Sequence, residues 1–151
     1  MAAISEQLWQ LYCRSMLEVE LECGVWFRLF DPDVGVTIPV GLAEELAQAP
    51  ASLVTAWNPY SRPRPHHWNA KANAELAEVL DSCGAHSRRA IGRSKSTDYV
   101  ERGFYVSNLG VVEAAEIARE FHQHALYFVM VSEILCATSD LRNARSVRRV
   151  L

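Results

Sequence analysis

Residues 52–84 read SLVTAWNPYSRPRPHHWNAKANAELAEVLDSCG and contain the clearest structural pattern of the chain. The first six residues, Ser52 to Trp57, form a short apolar run that is typical of a buried strand, and the proline-rich segment after it predicts a loop. Apolar residues then recur at helical spacing from Trp68 to Cys83, and Gly84 can end that helix in a left-handed conformation. The stretch therefore predicts a strand, a loop and a helix.

The pattern continues downstream with two strands, a second helix and a last strand. Residues 86–93 and 99–107 predict the two strands, residues 111–121 carry an apolar stripe at helical spacing, and residues 125–131 form a buried strand. The order β-α-β-β-α-β over residues 52–131 predicts a ferredoxin-like core. We expect both helices on one sheet face, with the other face covered by N-terminal elements or a partner.

The N-terminal part of the chain predicts three further elements. Residues 4–17 have apolar side chains at helical spacing and predict an amphipathic helix. Residues 18–22 and 25–30 are strand-like, which predicts a hairpin turning near Gly24 or one bulged strand. Residues 41–48 predict a short helix that ends before a proline. The predicted fold class is thus α+β, a ferredoxin-like core preceded by a helix and a β-hairpin.

Length and composition fit a single domain over residues 1–151. Half of the residues are hydrophobic and 22% are charged, so the chain can bury a core without disulfides or metals. The region from 132 to 151 is expected to be a C-terminal extension. No apolar run reaches the ~18 residues of a membrane span, the start lacks the features of a secretory signal, and four widely spaced cysteines are typical of reduced thiols. We expect a cytoplasmic protein with no membrane partner.

Charge is distributed unevenly along a chain whose formal net charge is -3. A net negative chain is a poor generic nucleic-acid binder, so we do not expect a nucleic-acid partner. The last ten residues are nevertheless basic. For the tail, residues 141–151, two interpretations stay open: a solvated, frayed terminus, or an amphipathic helix that docks on an acidic patch or a partner. The partner-binding candidates are its arginines: Arg142, Arg145, Arg148 and Arg149.

Two short motifs give the chain a family resemblance. Residues 55–61 read TAWNPYS and residues 121–125 read FHQHA, and Asn69 and Glu101 lie between them. On these residues, the region 18–131 resembles a bacterial family designated domain of unknown function 3293. The resemblance implies no particular activity.

Polar residues follow the strand at 52–57 and recur near the ends of later elements. Each of these residues has a structural alternative. Asn58 and Ser61, after the strand, can hold a turn, and Asn69, in the first helical turn, can cap the helix. The Glu101 carboxylate can accept buried hydrogen bonds rather than act as a general base. Side chains of these types also bind small molecules beside the end of a strand. The ligand-binding candidates are Asn58, Ser61, Asn69, Glu101 and Gln123. No catalytic residue can be assigned.

Cysteine and histidine are zinc ligands, and a closed zinc site would use four of them, Cys83, His86, His122 and His124, but their spacing matches no zinc finger. The chain also lacks the common cofactor and nucleophile motifs, and we expect neither metal nor cofactor. The favoured function is a non-enzymatic module that binds a protein partner or self-associates. The alternative is a small-molecule-binding protein or enzyme with a polar site at the end of strand 52–57.

Overall fold

The computed structural model of the protein describes residues 4–21 and 24–148. Within them the chain forms four α-helices, eight β-strands and one 3-10 turn at Pro59–Ser61. The elements in chain order are α1 (Glu6–Cys13), β1 (Met16–Glu20), β2 (Trp26–Phe30), α2 (Val40–Gln48), β3 (Ala51–Val54), α3 (His66–Ser82), β4 (His86–Arg93), β5 (Val100–Ser107), α4 (Val111–Glu120), β6 (Ala125–Val129), β7 (Glu133–Thr138) and β8 (Ala144–Arg148).

The eight described strands form one antiparallel sheet in the order β2-β1-β4-β5-β3-β6-β7-β8. The sheet curls into a half barrel, because the right-handed twist of neighbouring strands accumulates across many strands. A register shift between Leu17 and Glu18 in β1 adds a local bend. The curl gives the sheet two distinct faces that pack different helices.

The predicted ferredoxin-like core is wrong. The elements from β3 to β6 follow one another in the predicted order, but they form the middle of a larger sheet with four helices. The β1–β2 hairpin pairs with β4, and the β7–β8 hairpin pairs with β6. The backbone groups along both edges of a four-stranded core need partners, and these hairpins supply them.

The C-terminal segment corrects a second expectation. Residues 144–148 form neither an amphipathic helix nor a frayed end, because β8 pairs with β7 from Ala137↔Ala144 to Glu133↔Arg148. The sequence analysis predicted no strand at β7. At the N-terminus, by contrast, a helix and a hairpin are present: the Ser5 side chain accepts from the Leu8 amide at 3.2 Å, capping α1, and β1 and β2 pair antiparallel.

Apolar side chains fill both faces of the sheet. Helices α3 and α4 cover one face, with Leu76, Leu80 and Ile117 in its core. On the other face, Leu42 and Leu46 of α2 join the buried residues of the sheet. Helix α1 lies on this second side, as the site described below shows. No helix in residues 4–21 and 24–148 is long and apolar enough to cross a membrane.

Close approach of β5 to β3 depends on Gly103. A Cβ at this position would lie 2.5 Å from the Val54 carbonyl oxygen and 2.9 Å from Thr55 Cβ. Such distances do not occur between real atoms of these types, so any larger residue must push the two strands apart. Gly103 therefore fixes the spacing of the strands where the polar residues after β3 begin.

We expect Gly103→Ala to lower the free energy of unfolding by about 1–3 kcal/mol because it overpacks this contact. Gly92→Ala is the matched control: it is also a strand glycine, but its Cβ would make an ordinary 3.6 Å contact with Leu17 Cδ2. Urea unfolding followed by circular dichroism compares both variants with the wild type. Equal effects of the two substitutions would contradict the role assigned to Gly103.

Candidate functional site

A cavity of about 160 Å³ lies between α1 and the second face of the sheet. Leucines of α1 and apolar residues of the sheet form most of its wall. A cavity of this order can hold a molecule about the size of benzene. The polar side chains that line it are Tyr12, Ser15, Thr55, Asn58, Ser61, Tyr99, Glu101, Gln123 and Tyr127.

Strand pairing brings the polar part of this wall together. Because β3 pairs antiparallel with both β5 and β6, Glu101 and Gln123 lie beside the residues that follow β3. Gln123 Nε2 donates to the Trp57 carbonyl at 3.2 Å, and Thr55 Oγ1 donates to the Arg102 carbonyl at 2.5 Å. The second half of the chain and the segment after β3 thus form one wall.

Glu101 carries the ionisable carboxyl group of the cavity wall. Its Oε2 accepts a hydrogen bond from Tyr99 Oη at 2.6 Å. In the described chain, no lysine, arginine or histidine nitrogen lies within 4.0 Å of this carboxylate. Burial raises the pKa of Glu101 to about 7, and the hydrogen bond from Tyr99 opposes that effect. The group is therefore close to half ionised at neutral pH.

Three tyrosines lie around Glu101: Tyr12 of α1, Tyr99 directly before β5, and Tyr127 of β6. Burial raises the pKa of Tyr12 to about 12 and raises the pKa values of the other two further, so all three phenols stay neutral. Tyr12 Oη and Ser61 Oγ are hydrogen-bonded at 2.9 Å, and Tyr127 Oη donates to the Tyr12 carbonyl at 2.7 Å. These two bonds hold α1 across the cavity.

Asparagines of α3 hold the loop that follows β3. The Asn58 amide donates to Asn69 Oδ1 at 2.9 Å, and Asn69 Nδ2 donates to Asn58 Oδ1 at 2.7 Å. The Arg64 amide donates to the same Asn58 Oδ1 at 3.0 Å. One helical turn after Asn69, Asn73 Oδ1 accepts from the Ala56 amide at 2.9 Å. Side chains on one face of α3 thus replace the backbone partners that a strand would have offered this loop.

The backbone beside the cavity is conformationally costly. Asn58, Tyr60 and Ser61 have φ values of 45°, 56° and 58°, and His122 has 58°. The Tyr60 amide donates to the His122 carbonyl at 2.7 Å, which joins the two segments. Six non-glycine residues of the described chain have positive φ, and four of them are at this one place. Such strain concentrates at functional sites.

The structure places four of the five predicted ligand-binding residues in the cavity wall: Asn58, Ser61, Glu101 and Gln123. The fifth, Asn69, is 1% exposed and lies behind the wall, where it bonds to Asn58. Asn69 is therefore neither a cap of α3 nor an exposed ligand contact, the two roles predicted from its place in the sequence.

Three tyrosines of the wall were not predicted from the sequence: Tyr12, Tyr99 and Tyr127. Tyr99 and Glu101 are two residues apart in an extended segment, which puts both side chains on one face. That spacing was the available signal for Tyr99. Tyr12 had no such signal, because its partner Ser61 is 49 residues away in the chain.

The residues considered for a zinc site lie in two separate regions. Helix α3 has 17 residues and is about 25 Å long; Cys83 and His86 follow its far end. His122 and His124 instead flank Tyr60, with ring centroids 5.3 Å from the Tyr60 ring. Over residues 4–21 and 24–148, no group of three or more His, Cys, Asp or Glu side chains is arranged to hold a metal ion.

The arginines predicted to bind a partner have different positions. Arg145 forms an ion pair with Glu6 at 2.7 Å, which lowers the pKa of Glu6 to about 2, and its guanidinium lies 4.9 Å from the centroid of the Trp9 ring. Arg142 is exposed in the turn before β8, and its amide donates to Asp140. The side chain of Arg148 and all of Arg149 lie outside the described residues.

One known protein family matches the part of the chain that contains most of the polar residues of the cavity wall. The family described as "Protein of unknown function (DUF3293)" matches residues 54–126. The predicted resemblance to this family is confirmed over residues 54–126, a shorter region than the expected 18–131. The DUF3293 segment contains Glu101, its neighbour Tyr99 and the polar residues after β3, whereas α1 lies outside it. Neither a curated protein nor a solved structure matches the chain.

We expect Glu101→Gln to change how stability depends on pH. The pKa of Glu101 is about 7 in the folded protein and 4.5 for the free group, so the folded state binds more protons than the unfolded state between these values. The contribution of Glu101 to stability is therefore greatest at low pH and is lost as the pH rises through 7. Glutamine does not titrate.

The free energy of unfolding of the variant relative to the wild type should thus increase by about 2 kcal/mol from pH 5 to pH 8. Urea unfolding of both proteins at the two pH values measures this difference. A difference that does not depend on pH would show that the carboxyl group is not buried in the way described.

A second substitution tests the loop support. Asn69→Ala should lower the free energy of unfolding by about 2–3 kcal/mol, because the Asn58 amide and the Asn58 side-chain oxygen both lose a buried partner. Lys71→Ala, at an exposed position of the same helix, is the control and should change it by less than about 0.5 kcal/mol. Chemical unfolding of both variants checks the difference. Similar losses of unfolding free energy in the two variants would contradict the structural role assigned to Asn69.

Proposed function

We propose that the protein binds a small organic molecule in the cavity between α1 and the sheet. The observation that carries this proposal is the Glu101 carboxyl group, which faces an apolar cavity and has Tyr99 as its hydrogen-bond partner. Burying an ionisable group without an opposite charge costs free energy. Groups of this kind concentrate at binding and catalytic sites.

Two further features support the same place. The left-handed residues Asn58 and Ser61 line the cavity, and their strained backbone is held by Asn69 and by the contact of Tyr60 with His122. Evolutionary pressure for stability alone gives no reason for four strained residues at one point. The wall also combines a large apolar surface with a few convergent polar groups, which is the usual composition of a ligand site.

The cavity limits the size of the ligand. A volume of about 160 Å³ accommodates a molecule of about ten non-hydrogen atoms or fewer, by comparison with cavities that hold benzene. The apolar body would pack against Leu8, Leu11 and Phe104, and its polar end would reach Glu101. A carboxyl group with a pKa near neutrality is also suited to proton transfer, so an enzymatic use of the site stays part of this alternative.

The protein-interaction module that the sequence analysis favoured stays a prediction, as do a homo-oligomer and a cytoplasmic location. The geometry supports the protein-interaction module less than it supports a small-molecule site. Arg145, one of the arginines predicted to bind a partner, is paired with Glu6 of the same chain. We therefore put the small-molecule site first.

Binding to the cavity can be tested with a library of fragments of up to about ten non-hydrogen atoms, screened by nuclear magnetic resonance on labelled protein. We expect at least one fragment to shift the backbone amides of Gly92, Glu101 and Gly103, which line the cavity. The amides of α3 that face solvent, such as Lys71, should not move. A library without any fragment that shifts the cavity amides would contradict the proposal.

A matched pair of variants locates the binding on α1. Leu8→Trp places bulk in the cavity and should abolish the fragment shifts, because Leu8 is part of the wall. Gln7→Trp introduces the same side chain at the neighbouring, exposed position and should retain them. Equal binding by both variants would place the fragment elsewhere.

A further inference from the structure

In the described part of the cavity wall, most hydrogen-bond donors already bond to acceptors of the protein, whereas several acceptors do not have a donor. Most donors are already committed to protein acceptors: Gln123 Nε2 to the Trp57 carbonyl, Tyr127 Oη to the Tyr12 carbonyl, and Tyr99 Oη to Glu101. Ser15 Oγ and Thr55 Oγ1 likewise donate to backbone carbonyls. Two exceptions remain. One is a hydroxyl hydrogen of the Tyr12–Ser61 pair, because a single bond joins two hydroxyl groups. The other is the side-chain NH2 of Asn58, which lies next to Tyr99, because the bonds from Asn69 and Arg64 use the Asn58 Oδ1 atom. The wall therefore has few donors left for a ligand.

Acceptors, in contrast, stay available. Within the described residues, Glu101 Oε1 and Gln123 Oε1 take part in no hydrogen bond with the protein, and both side chains line the cavity. A carboxylate can accept about four hydrogen bonds, and Glu101 accepts one from a protein side chain. A ligand that fits this wall must therefore bring donors rather than acceptors.

The charge of the wall points in the same direction. Glu101 has no cationic partner in residues 4–21 and 24–148. The titratable groups that face it are Tyr12 from α1, Tyr99 before β5 and Tyr127 from β6, and all three are neutral phenols. An anionic ligand would be repelled by the carboxylate, whereas a cation would supply the missing counter-ion. Aromatic rings are also good neighbours for a cation.

We infer that the cavity selects a small primary amine in its protonated form, with the ammonium group on Glu101 and an apolar body of up to about seven carbon atoms against the leucines of α1. This inference rests on the proposed function and specifies its ligand class. An ammonium group has three donors and no acceptor, which matches a wall whose donors are mostly used and whose acceptors on Glu101 and Gln123 are open.

Three probes of one shape and three charges test the inference. Benzylamine is a cation, benzyl alcohol is neutral and benzoate is an anion, and all three have a size that the cavity admits. Titration calorimetry at pH 8 should give a dissociation constant for benzylamine at least about tenfold lower than that for benzyl alcohol, and no binding of benzoate. The Glu101→Gln variant should lose this preference, so that its dissociation constants for benzylamine and benzyl alcohol lie within about threefold of each other.

The pH dependence gives an independent readout. Because the ionised fraction of a carboxyl group with a pKa of about 7 rises about tenfold between pH 6 and pH 8, the affinity for benzylamine should rise by about the same factor. The affinity for benzyl alcohol should not change. Tyr99→Phe removes the donor that stabilises the ionised carboxyl, so it should keep the preference for the amine and move its pH dependence upward. This variant keeps the test valid if Glu101→Gln fails to fold.

The outcomes separate the inference from the proposed function. Binding of benzyl alcohol or benzoate at least as tight as that of benzylamine would overturn the selection of a cation and leave a small-molecule site in place. Binding of none of the three probes would overturn the inference as well. The proposed function would fall with it only if the broader fragment library also gave no shift of the cavity amides.

Discussion

The reciprocal hydrogen bonds between Asn58 and Asn69 are the constraint on which the polar end of the cavity depends. They hold a residue in the left-handed conformation directly after the central strand β3, and α3 carries the other half of the pair. The same turn places Ser61 against Tyr12 and so fixes α1 over the sheet. Because a helix on one face determines a loop that serves the other face, the two cores of the protein are coupled through two amide side chains.

Burial of the Glu101 carboxyl group costs free energy, which the rest of the fold must offset. An extended antiparallel sheet, closed at both edges by hairpins and packed on both faces, provides enough stability to hold one charged group and several strained residues in unfavourable environments. The Tyr99 hydroxyl moderates the cost for the carboxylate without neutralising it. A second charge of opposite sign in the wall would have stabilised the carboxylate, and the proposed ligand would then have no unpaired charge to neutralise.

Local patterns in the sequence predicted most of the elements but not their assembly. The helical spacing in residues 68–83 and 111–121 corresponds to α3 and α4, since each helix buries one stripe. The ferredoxin-like core was wrong because strands outside residues 52–131 extend the sheet at both edges. At one edge β1 pairs with β4, which is distant in the chain, and at the other β7, a mostly buried strand with little alternation, pairs with β6. Around β8, apolar residues recur every three positions with arginines between them. This pattern is compatible with a helix as well as with the strand that forms. For the site, the presence of polar residues near strand ends correctly predicted four residues of the cavity wall. Asn69 was predicted to be exposed or to cap the helix, but it is buried, and burial cannot be inferred from a position in the first turn of a helix.

Helix α1 lies outside the DUF3293 segment, yet it supplies one whole wall of the cavity. The carboxyl group and the strained turn come from the segment, and the leucines that would contact the body of a ligand come from α1. In the proposed site, the charged group and the apolar surface therefore come from separate stretches of the chain. A different helix packed over the same segment would change the shape of the cavity without moving the carboxyl group. In the proposed site, the selectivity for shape and the preference for charge can therefore change independently of each other.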